Sequence, residues 1–237
     1  MNEVDQKFSP EPVTIPFAGL ELVPHTSGAL WVAEYRALLV ADLHFEKASS
    51  YAARGVHLPP YDTRATFKLL KKVCADFKPK EIISLGDSFH DDDARSRMDD
   101  DIIADLRTFA KTYDVTWITG NHDEAPPVDI GGNIVSEVQL GPLTLRHLPT
   151  GGLPLFPEIA GHLHPVAVVS QRGKRLRRRC FIANESRMVM PAFGTFTGGL
   201  DIRSEPFQEL YQKRDFSAWL LGRDQVYRFS ARRVTGT

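Results

Sequence analysis

Between residues 37 and 119, apolar strand-like runs alternate with helical patterns, and this order limits the folds that the chain can adopt. The runs are unalternated, which is typical of strands buried on both faces; they are residues 37–41, 81–85 and 115–119. Residues 62–77 and 99–111, which lie between them, place apolar side chains at helical spacing. The order predicts right-handed crossovers and a partly parallel sheet with helices outside it.

After residue 133 the helical pattern fades, and short apolar runs separated by Gly and Pro predict further strands. These are residues 133–140, 143–147, 158–160, 166–171, 175–183, 187–190, 218–221 and 225–230. No repeat or linker divides the two halves. We therefore predict an α/β fold with a four-layer αββα sandwich, in which two mixed β-sheets are flanked by helices. We expect residues 13–237 to form a single domain after a flexible tail, residues 1–12.

The charge balance gives the chain no overall attraction to nucleic acid or to a membrane, because 29 Lys and Arg face 30 Asp and Glu. Cys74 and Cys180 lie far apart and form no CxxC motif, so neither a disulfide framework nor a thiolate zinc site is expected. The N-terminal residues do not resemble a secretory signal, and no window approaches the roughly 18 apolar residues of a membrane span. These features predict a cytoplasmic protein without membrane association.

Polar motifs follow four of the predicted strands at their carboxyl ends. They are Asp42-Leu43-His44, Gly86-Asp87, Gly120-Asn121-His122-Asp123 and Gly161-His162-Leu163-His164. In α/β sheets, the loops at this edge converge and form binding sites. The period-two spacing of Asp-x-His and His-x-His would place both side chains on one side of an extended segment. Each pair is therefore expected to bind a common centre.

These motifs supply carboxylate, amide and imidazole ligands without thiolate, which suits divalent manganese, iron or zinc. The candidate ligands are Asp42, His44, Asp87, Asn121, His162 and His164. Six ligands exceed the need of one ion, but they suit two ions about 3.5–4 Å apart that share a carboxylate. Asp87 is the expected bridge. Taken singly, each residue could instead make a turn, cap a helix or form an ordinary hydrogen bond.

The four motifs, in this order, resemble those of the calcineurin-like metallophosphoesterase superfamily. The resemblance implies the two-sheet sandwich fold and a pair of metal ions. It assigns the first ion to Asp42, His44, Asp87 and His164, and the second to Asp87, Asn121, His162 and one further histidine. It also implies that His122 contacts the phosphate and assists the leaving group.

His147 is the expected further histidine. It ends the predicted strand 143–147, between the third and fourth motifs, where the superfamily has an isolated ligand. Of the eight histidines, His25 and His57 lie in the wrong region of the chain. A strand-end histidine that bonds to a carbonyl group is the alternative interpretation of His147.

A closer resemblance is to the bacterial ligase-associated DNA-damage-response endonucleases of this superfamily. It rests on residues 54–64, 86–91 and 161–165, and on Pro191-Ala192-Phe193-Gly194 followed by Thr197-Gly198-Gly199. It implies a manganese-dependent endonuclease that acts in DNA repair on single-stranded or distorted DNA, together with other proteins of a ligase-associated pathway. His90 lies three residues after Asp87 and is expected to reach the same cleft, where it would contact phosphate.

A basic run between residues 172 and 179 provides the local positive charge that the whole chain lacks. It contains six basic residues and no acidic one. Gly173 can turn a hairpin, so that alternate arginines share one face near the metals. The residues expected to bind DNA are Arg172, Lys174, Arg175, Arg177 and Arg179. A solvated edge strand that uses charge to prevent aggregation is the alternative.

The expected reaction is direct hydrolysis, in which a hydroxide that bridges the two ions attacks phosphorus in line. Three other functions remain open. A small-molecule phosphodiesterase or nucleotide pyrophosphatase would use the same ions. A degenerate domain could serve as a scaffold for partners, although it would not need the complete ligand set. A nucleic-acid-binding module would explain the basic run but not the motifs at the strand ends. The sequence leaves the oligomeric state open.

Overall fold

The computed structural model describes residues 13–171, 173–212 and 215–234, so the predicted tail, residues 1–12, lies outside the described residues. The first sheet contains seven strands in chain order. They are β1 (Ile15–Phe17), β2 (Leu20–Pro24), β3 (Leu30–Val32), β4 (Ala37–Val40), β5 (Glu81–Leu85), β6 (Asp114–Ile118) and β7 (Asn133–Val135). Pairing is antiparallel from β1 to β4 and parallel from β4 to β7, so the sheet is mixed.

Four helices accompany the first sheet: α1 (Lys47–Ala53), α2 (Asp62–Phe77), α3 (Ala94–Arg97) and α4 (Asp100–Thr112). The long helices α2 and α4 have apolar stripes, as their sequence periods predict. Phe67 and Leu70 of α2 and Leu106 of α4 pack with Leu38 and Val115 of the strands in one buried cluster. These helices therefore form the outer layer on one side of the sheet.

The second sheet contains nine strands. They are β8 (Glu137–Leu140), β9 (Leu143–Arg146), β10 (Glu158–Ala160), β11 (Pro165–Gln171), β12 (Lys174–Ala183), β13 (Arg187–Val189), β14 (Leu200–Asp201), β15 (Ser217–Leu221) and β16 (Val226–Ser230). Their order is β14-β11-β12-β13-β10-β9-β8, with β15 on β12 and β16 on β15. Helix α5 (Glu205–Leu210) packs Phe207 against the outer face of this sheet. The predicted four-layer sandwich is confirmed.

The two sheets face each other across a buried apolar core. Ile83 and Ile118 of the first sheet lie in the same cluster as Leu145, Ile159 and Phe181 of the second. All five side chains are fully buried. Burial of such side chains is the main favourable term in folding, and it holds the carboxyl ends of the strands of both sheets at one fixed edge.

The predicted strand 133–140 is wrong in one respect, because it is two strands. The chain breaks at Ser136: β7 pairs with β6 in the first sheet, and β8 pairs with β9 in the second. A segment that passes from one sheet to the other cannot keep a single ladder. The short helices α1, α3 and α5 and the strand β14 were not predicted from the sequence.

Two further predictions concern cysteines and membranes. Cys74 and Cys180 are both free and buried, which agrees with the expected absence of a disulfide between them. Among the helices of the described residues, none has the length and apolar character needed to cross a membrane.

A buried ion pair fixes the segment that follows the end of β9. Arg187 and Glu158 are each 1% exposed, and the Arg187 guanidinium donates a hydrogen bond to the Glu158 carboxylate. Arg187 also donates to the carbonyl groups of Thr150, Gly152 and Leu210. A buried charge is stable only when its partners satisfy it, so this pair ties residues 150–152 to the second sheet.

Replacing Arg187 with Met should destabilise the protein by about 3–5 kcal/mol, because the buried Glu158 carboxylate then loses its hydrogen-bonded cation. The next cation, Arg146 Nε, lies 3.8 Å from that carboxylate, beyond hydrogen-bond distance. Urea unfolding followed by tryptophan fluorescence measures this loss. Arg223→Met is the control, since Arg223 is exposed in the turn between β15 and β16 and should change stability by no more than about 0.5 kcal/mol. A loss below about 1 kcal/mol for Arg187→Met would contradict this account.

Candidate metal centre

The carboxyl ends of five strands bring the predicted site residues to one edge. Asp42 and Asp87 each lie two residues beyond a strand, β4 and β5, and Asn121 lies three residues beyond β6. His147 directly follows β9, and His162 lies two residues beyond β10. The loops are joined by backbone hydrogen bonds from Asp42 N to Gly86 O and from His44 N to Asp87 O. The strands therefore set the positions of the loops that bear these side chains.

The seven predicted metal ligands form two adjoining groups. Within each group the potential ligand atoms lie within 4.8 Å of one another. The first ligand group is Asp42, His44 and His164, and the second is Asp87, His147 and His162. Asn121 joins the second group, because its Oδ1 lies 3.0 Å from His147 Nε2. The division agrees with the one that the family resemblance implied, while the role of these residues as ligands stays a prediction.

The distances between potential ligand atoms are those expected if each group held one divalent ion. His44 Nε2 lies 3.4 Å from His164 Nε2, and His147 Nε2 lies 3.2 Å from His162 Nδ1. His164 Nε2 is also 3.2 Å from Asp42 Oδ1. Atoms that each lie about 2.1 Å from a common ion are separated by about 3.0–3.4 Å. The contacts thus have the spacing of ligands around one ion in each group.

The segments that bear these side chains are not extended. The expected alternation of side chains along an extended segment therefore does not explain why they converge. Asp42, His44, Asp87, His162 and His164 have φ values of 55°, 47°, 48°, 70° and 46°. These values lie in the left-handed region, which residues other than glycine seldom adopt. Such strain concentrates at functional sites. Left-handed turns, rather than the alternation of a strand, aim the side chains at the centre.

The two histidines of the His-x-His motif also belong to different groups. His162 lies with Asp87 and His147, whereas His164 lies with Asp42 and His44. This differs from the expectation, drawn from the spacing alone, that the pair binds one common centre, and it agrees with the division that the family resemblance implied. The motif instead joins the two groups, and the His162 backbone N–H donates to the Asp42 carboxylate as a further link between them.

Glycines allow the ligands to approach the backbone closely. A Cβ on Gly86 would collide with the ring of His147, and one on Gly120 would collide with the Asp87 carboxylate. Gly86 also has a φ of 78°, in the left-handed region. The glycines that precede Asp87 and Asn121 are thus required for the second ligand group.

Burial and charge set the protonation of the site. Burial lowers the pKa of His44 to about 2 and that of His90 to about 4, so both imidazoles are neutral at pH 7. Burial opposes the charged forms of His147 and Asp87 as well. Their mutual hydrogen bond and charges outweigh it, raising the pKa of His147 to about 9 and lowering that of Asp87 to about 2. A cation at the second group would replace the His147 proton.

Carbonyl groups fix the ring orientation of two histidines. His147 Nδ1 donates to Leu85 O at 2.9 Å, which leaves Nε2 for the ligand group. His122 Nδ1 donates to His90 O at 2.9 Å, and its Nε2 is the nitrogen left for a substrate. His122 is exposed, and its backbone N–H donates to Asp87 Oδ1. His122 therefore lies beside the second group without being part of it.

Asp123 is a structural residue of the site to which the sequence analysis gave no role. Its buried carboxylate accepts backbone N–H groups of Asp87, Ser88, Phe89 and Gly120. These bonds hold the loop after β5 to the loop after β6. The only signal in the sequence was a carboxylate two residues after Asn121, and that signal does not reveal which backbone groups it binds.

His90 packs against His122, whereas two arginines of the basic run contact the segment 191–199. The His90 ring stacks on His122, with ring centroids 5.1 Å apart, and is 7% exposed. In β12, Arg177 and Arg179 donate to the carbonyl groups of Gly199 and Ala192. Arg172 lies outside the described residues, and Lys174 and Arg175 are exposed near the hairpin turn.

The segment 191–199 connects the basic run to the first ligand group. Phe193 N donates to Ala41 O and Gly194 N to Asp42 O, so this segment lies against the loop that bears Asp42. Arg177 and Arg179 bind its carbonyl groups from the other side. The contribution of these arginines to DNA binding stays a prediction.

Gly86→Ala should reduce manganese binding by about one equivalent without removing any ligand, because the new Cβ displaces the His147 ring. Gly19→Ala is the matched control: its φ is 80°, and a Cβ there has no neighbour within 4 Å. Both variants carry a similar backbone cost of about 1–2 kcal/mol. Elemental analysis after equilibrium dialysis measures the bound metal, and urea unfolding checks the fold. Equal manganese content in the two variants would refute the assignment of His147.

This chain is similar to a solved nuclease structure and to the model of one protein family. The structure of Pseudomonas putida nuclease MPE has 33% sequence identity and a TM-score of 0.72, and the match covers 92% of this chain and 99% of that one. Yfce, a phosphoesterase from E. coli, shares 15% identity at a TM-score of 0.41, with 82% of this chain and 98% of that one covered. No curated protein sequence matches significantly.

The model of the calcineurin-like phosphoesterase family matches residues 35–172, more than half of the chain. Because this model covers the four strand-end motifs, the chain belongs to the calcineurin-like phosphoesterases and is a phosphoester hydrolase.

Proposed function

We propose that this chain is a metal-dependent nuclease that hydrolyses phosphodiester bonds of single-stranded or distorted DNA. The observation that carries the proposal is the pair of adjoining ligand groups beside the exposed His122. The similar Pseudomonas putida structure is a nuclease, which supports it. The motifs that resemble ligase-associated endonucleases support a role in DNA repair.

Two divalent ions are the proposed cofactors. The mixture of imidazole, carboxylate and amide ligands suits manganese, iron or zinc, and the resemblance to the ligase-associated endonucleases favours manganese. When bound, such ions activate a water molecule and stabilise charge on the phosphate oxygens. Asp42, His44 and His164 would hold one ion, and Asn121, His147 and His162 the other. Asp87 would be shared between them, as the family resemblance implies; its Oδ1 lies 3.3 Å from His147 Nε2 in the second group.

His122 is the proposed general acid. Its backbone N–H and its Nδ1 are held by Asp87 and by the His90 carbonyl group, so the ring has a defined position. As the bond from phosphorus to the leaving oxygen breaks, protonated His122 donates its Nε2 proton to that oxygen, which departs as an alcohol. His90, stacked on His122, supports this ring and is proposed to contact the same phosphate.

The basic face of β12 is the proposed support for a DNA strand. Arg175 and Arg177 are exposed and lie two positions apart in the strand, so their side chains share a face. Lys174 lies beside the turn. Arginine binds phosphate through paired hydrogen bonds. Arg177 donates to Gly199 O and Arg179 to Ala192 O. Because Arg179 is also only partly exposed, its contribution is expected to be the smallest of the three arginines.

Incubation of circular single-stranded DNA with the protein and manganese tests this function, because the substrate has no ends. We expect nicking by the wild type. Asp87→Ala should lose both bound manganese and nicking, whereas His122→Ala should keep manganese and lose about 10²–10⁴-fold in rate. Asp105→Ala is the control, since this exposed carboxylate pairs with Lys71 on the helical layer.

Two results would contradict the proposal. Hydrolysis of nucleotides or of small phosphodiesters without nicking would favour the small-molecule enzyme. Equal loss of manganese in Asp87→Ala and His122→Ala would overturn the separation of ligand and general acid.

A further inference from the structure

Helix α1 presents a basic face that the sequence analysis did not identify. Lys47, Tyr51 and Arg54 are spaced i, i+4 and i+7, so they lie on one side of the helix and its C-terminal cap. Ala48 and Ser50, which flank this side, are buried, whereas Ala52 and Ala53 on the opposite side are exposed. Lys47 and Tyr51 are partly exposed, and Arg54 is exposed.

Ring contacts show that this side of α1 faces the candidate metal centre. The Tyr51 ring lies 5.7 Å from the His90 ring, measured between centroids. The His90 ring lies 5.4 Å from His44 and 5.1 Å from His122. One continuous set of rings therefore leads from α1 to a ligand of the first group and to the proposed general acid.

The charges on this face also reach His90. Burial is the main cause of the low pKa of His90, and the Lys47 and Arg54 cations add to it. Asp62 is the acidic group that acts on Lys47, but its carboxylate accepts the backbone N–H of Ala48.

Neighbouring basic residues differ from Lys47 and Arg54 in having acidic partners. Arg97, which packs beside α1, is paired with Asp91. Among the described residues, no carboxylate oxygen lies within 4 Å of the side-chain nitrogens of Lys47 or Arg54. Their charges thus remain available to an anion at the edge of the cleft.

We propose that Lys47 and Arg54 form a second phosphate subsite, which binds the backbone of the polynucleotide next to the scissile phosphodiester. This inference rests on the proposed nuclease function. A substrate with one phosphodiester group is fully bound at the metal centre, whereas a DNA strand places further phosphates beside it. Tyr51, between the two cations, offers a ring on which a base can stack. The α1 face would therefore select a polynucleotide over a small phosphodiester.

The double variant Lys47→Ala/Arg54→Ala tests the subsite by binding and by catalysis. Binding of fluorescein-labelled oligothymidylate is measured by anisotropy in calcium, at several salt concentrations. We expect about tenfold weaker binding at low salt, and a salt slope smaller by about 1.4, since each lost contact to single-stranded DNA removes about 0.7. Manganese-dependent cleavage of this DNA should fall at least tenfold more than hydrolysis of bis-p-nitrophenyl phosphate.

Two matched variants complete the test. Lys72→Ala/Lys111→Ala removes the same charge from the C-terminal halves of α2 and α4, which precede β5 and β6. These exposed lysines lie away from the carboxyl ends of the strands, so this variant should keep the DNA affinity and the salt slope of the wild type. Lys47→Arg/Arg54→Lys keeps both charges and should retain most of the slope.

The failures of the two proposals can be told apart. A wild-type protein that cleaves DNA, together with a Lys47→Ala/Arg54→Ala variant of unchanged DNA affinity and salt slope, would overturn the subsite alone. Equal losses on DNA and on bis-p-nitrophenyl phosphate would likewise overturn it, because they would show an effect on the metal centre. A wild-type protein that hydrolyses bis-p-nitrophenyl phosphate but neither binds nor cleaves DNA would refute the nuclease function, and the subsite with it.

Discussion

At the carboxyl edge of the first sheet, the buried carboxylate of Asp87 lies between the imidazole of His147 and the backbone N–H of His122. A charge in such a place is stable only when opposite charge and hydrogen-bond donors face it. The loop around it is fixed in turn by the Asp123 carboxylate, which accepts the N–H groups of residues 87–89. The Asp87 carboxylate, held in place by Asp123, therefore positions both the second ligand group and the exposed His122.

The same edge contains strained backbone, which the remainder of the structure must offset. Five of the predicted ligands have left-handed φ values, and each such residue costs on the order of 1–3 kcal/mol. The core between the sheets, with side chains such as Ile83 and Phe181 that are completely buried, supplies the opposing stability. Pairing of the strands also prevents the loops from moving to a backbone conformation of lower energy. The predicted ligands therefore remain close together although the loops that bear them are strained.

Much of the fold followed from local patterns, because apolar runs and helical spacing are local properties. The helix at Asp62–Phe77 and the strand at Glu81–Leu85 have the predicted bounds. The break at Ser136 did not follow, since a change of sheet depends on distant partners. At the site, the sequence predicted which residues meet. It did not predict how they meet: the segment after Ala41 turns left-handed rather than remaining extended. The separation of His162 and His164 followed from the family resemblance but not from their spacing.

The central claim is that the two ligand groups hold a pair of ions that share Asp87. Anomalous diffraction at the manganese absorption edge, from crystals grown with manganese, tests it most directly. The account predicts two anomalous peaks about 3.5–4 Å apart, one at the Asp42–His44–His164 group and one at the Asp87–His147–His162 group, with the Asp87 carboxylate contacting both. A single peak, or peaks away from these side chains, would contradict it.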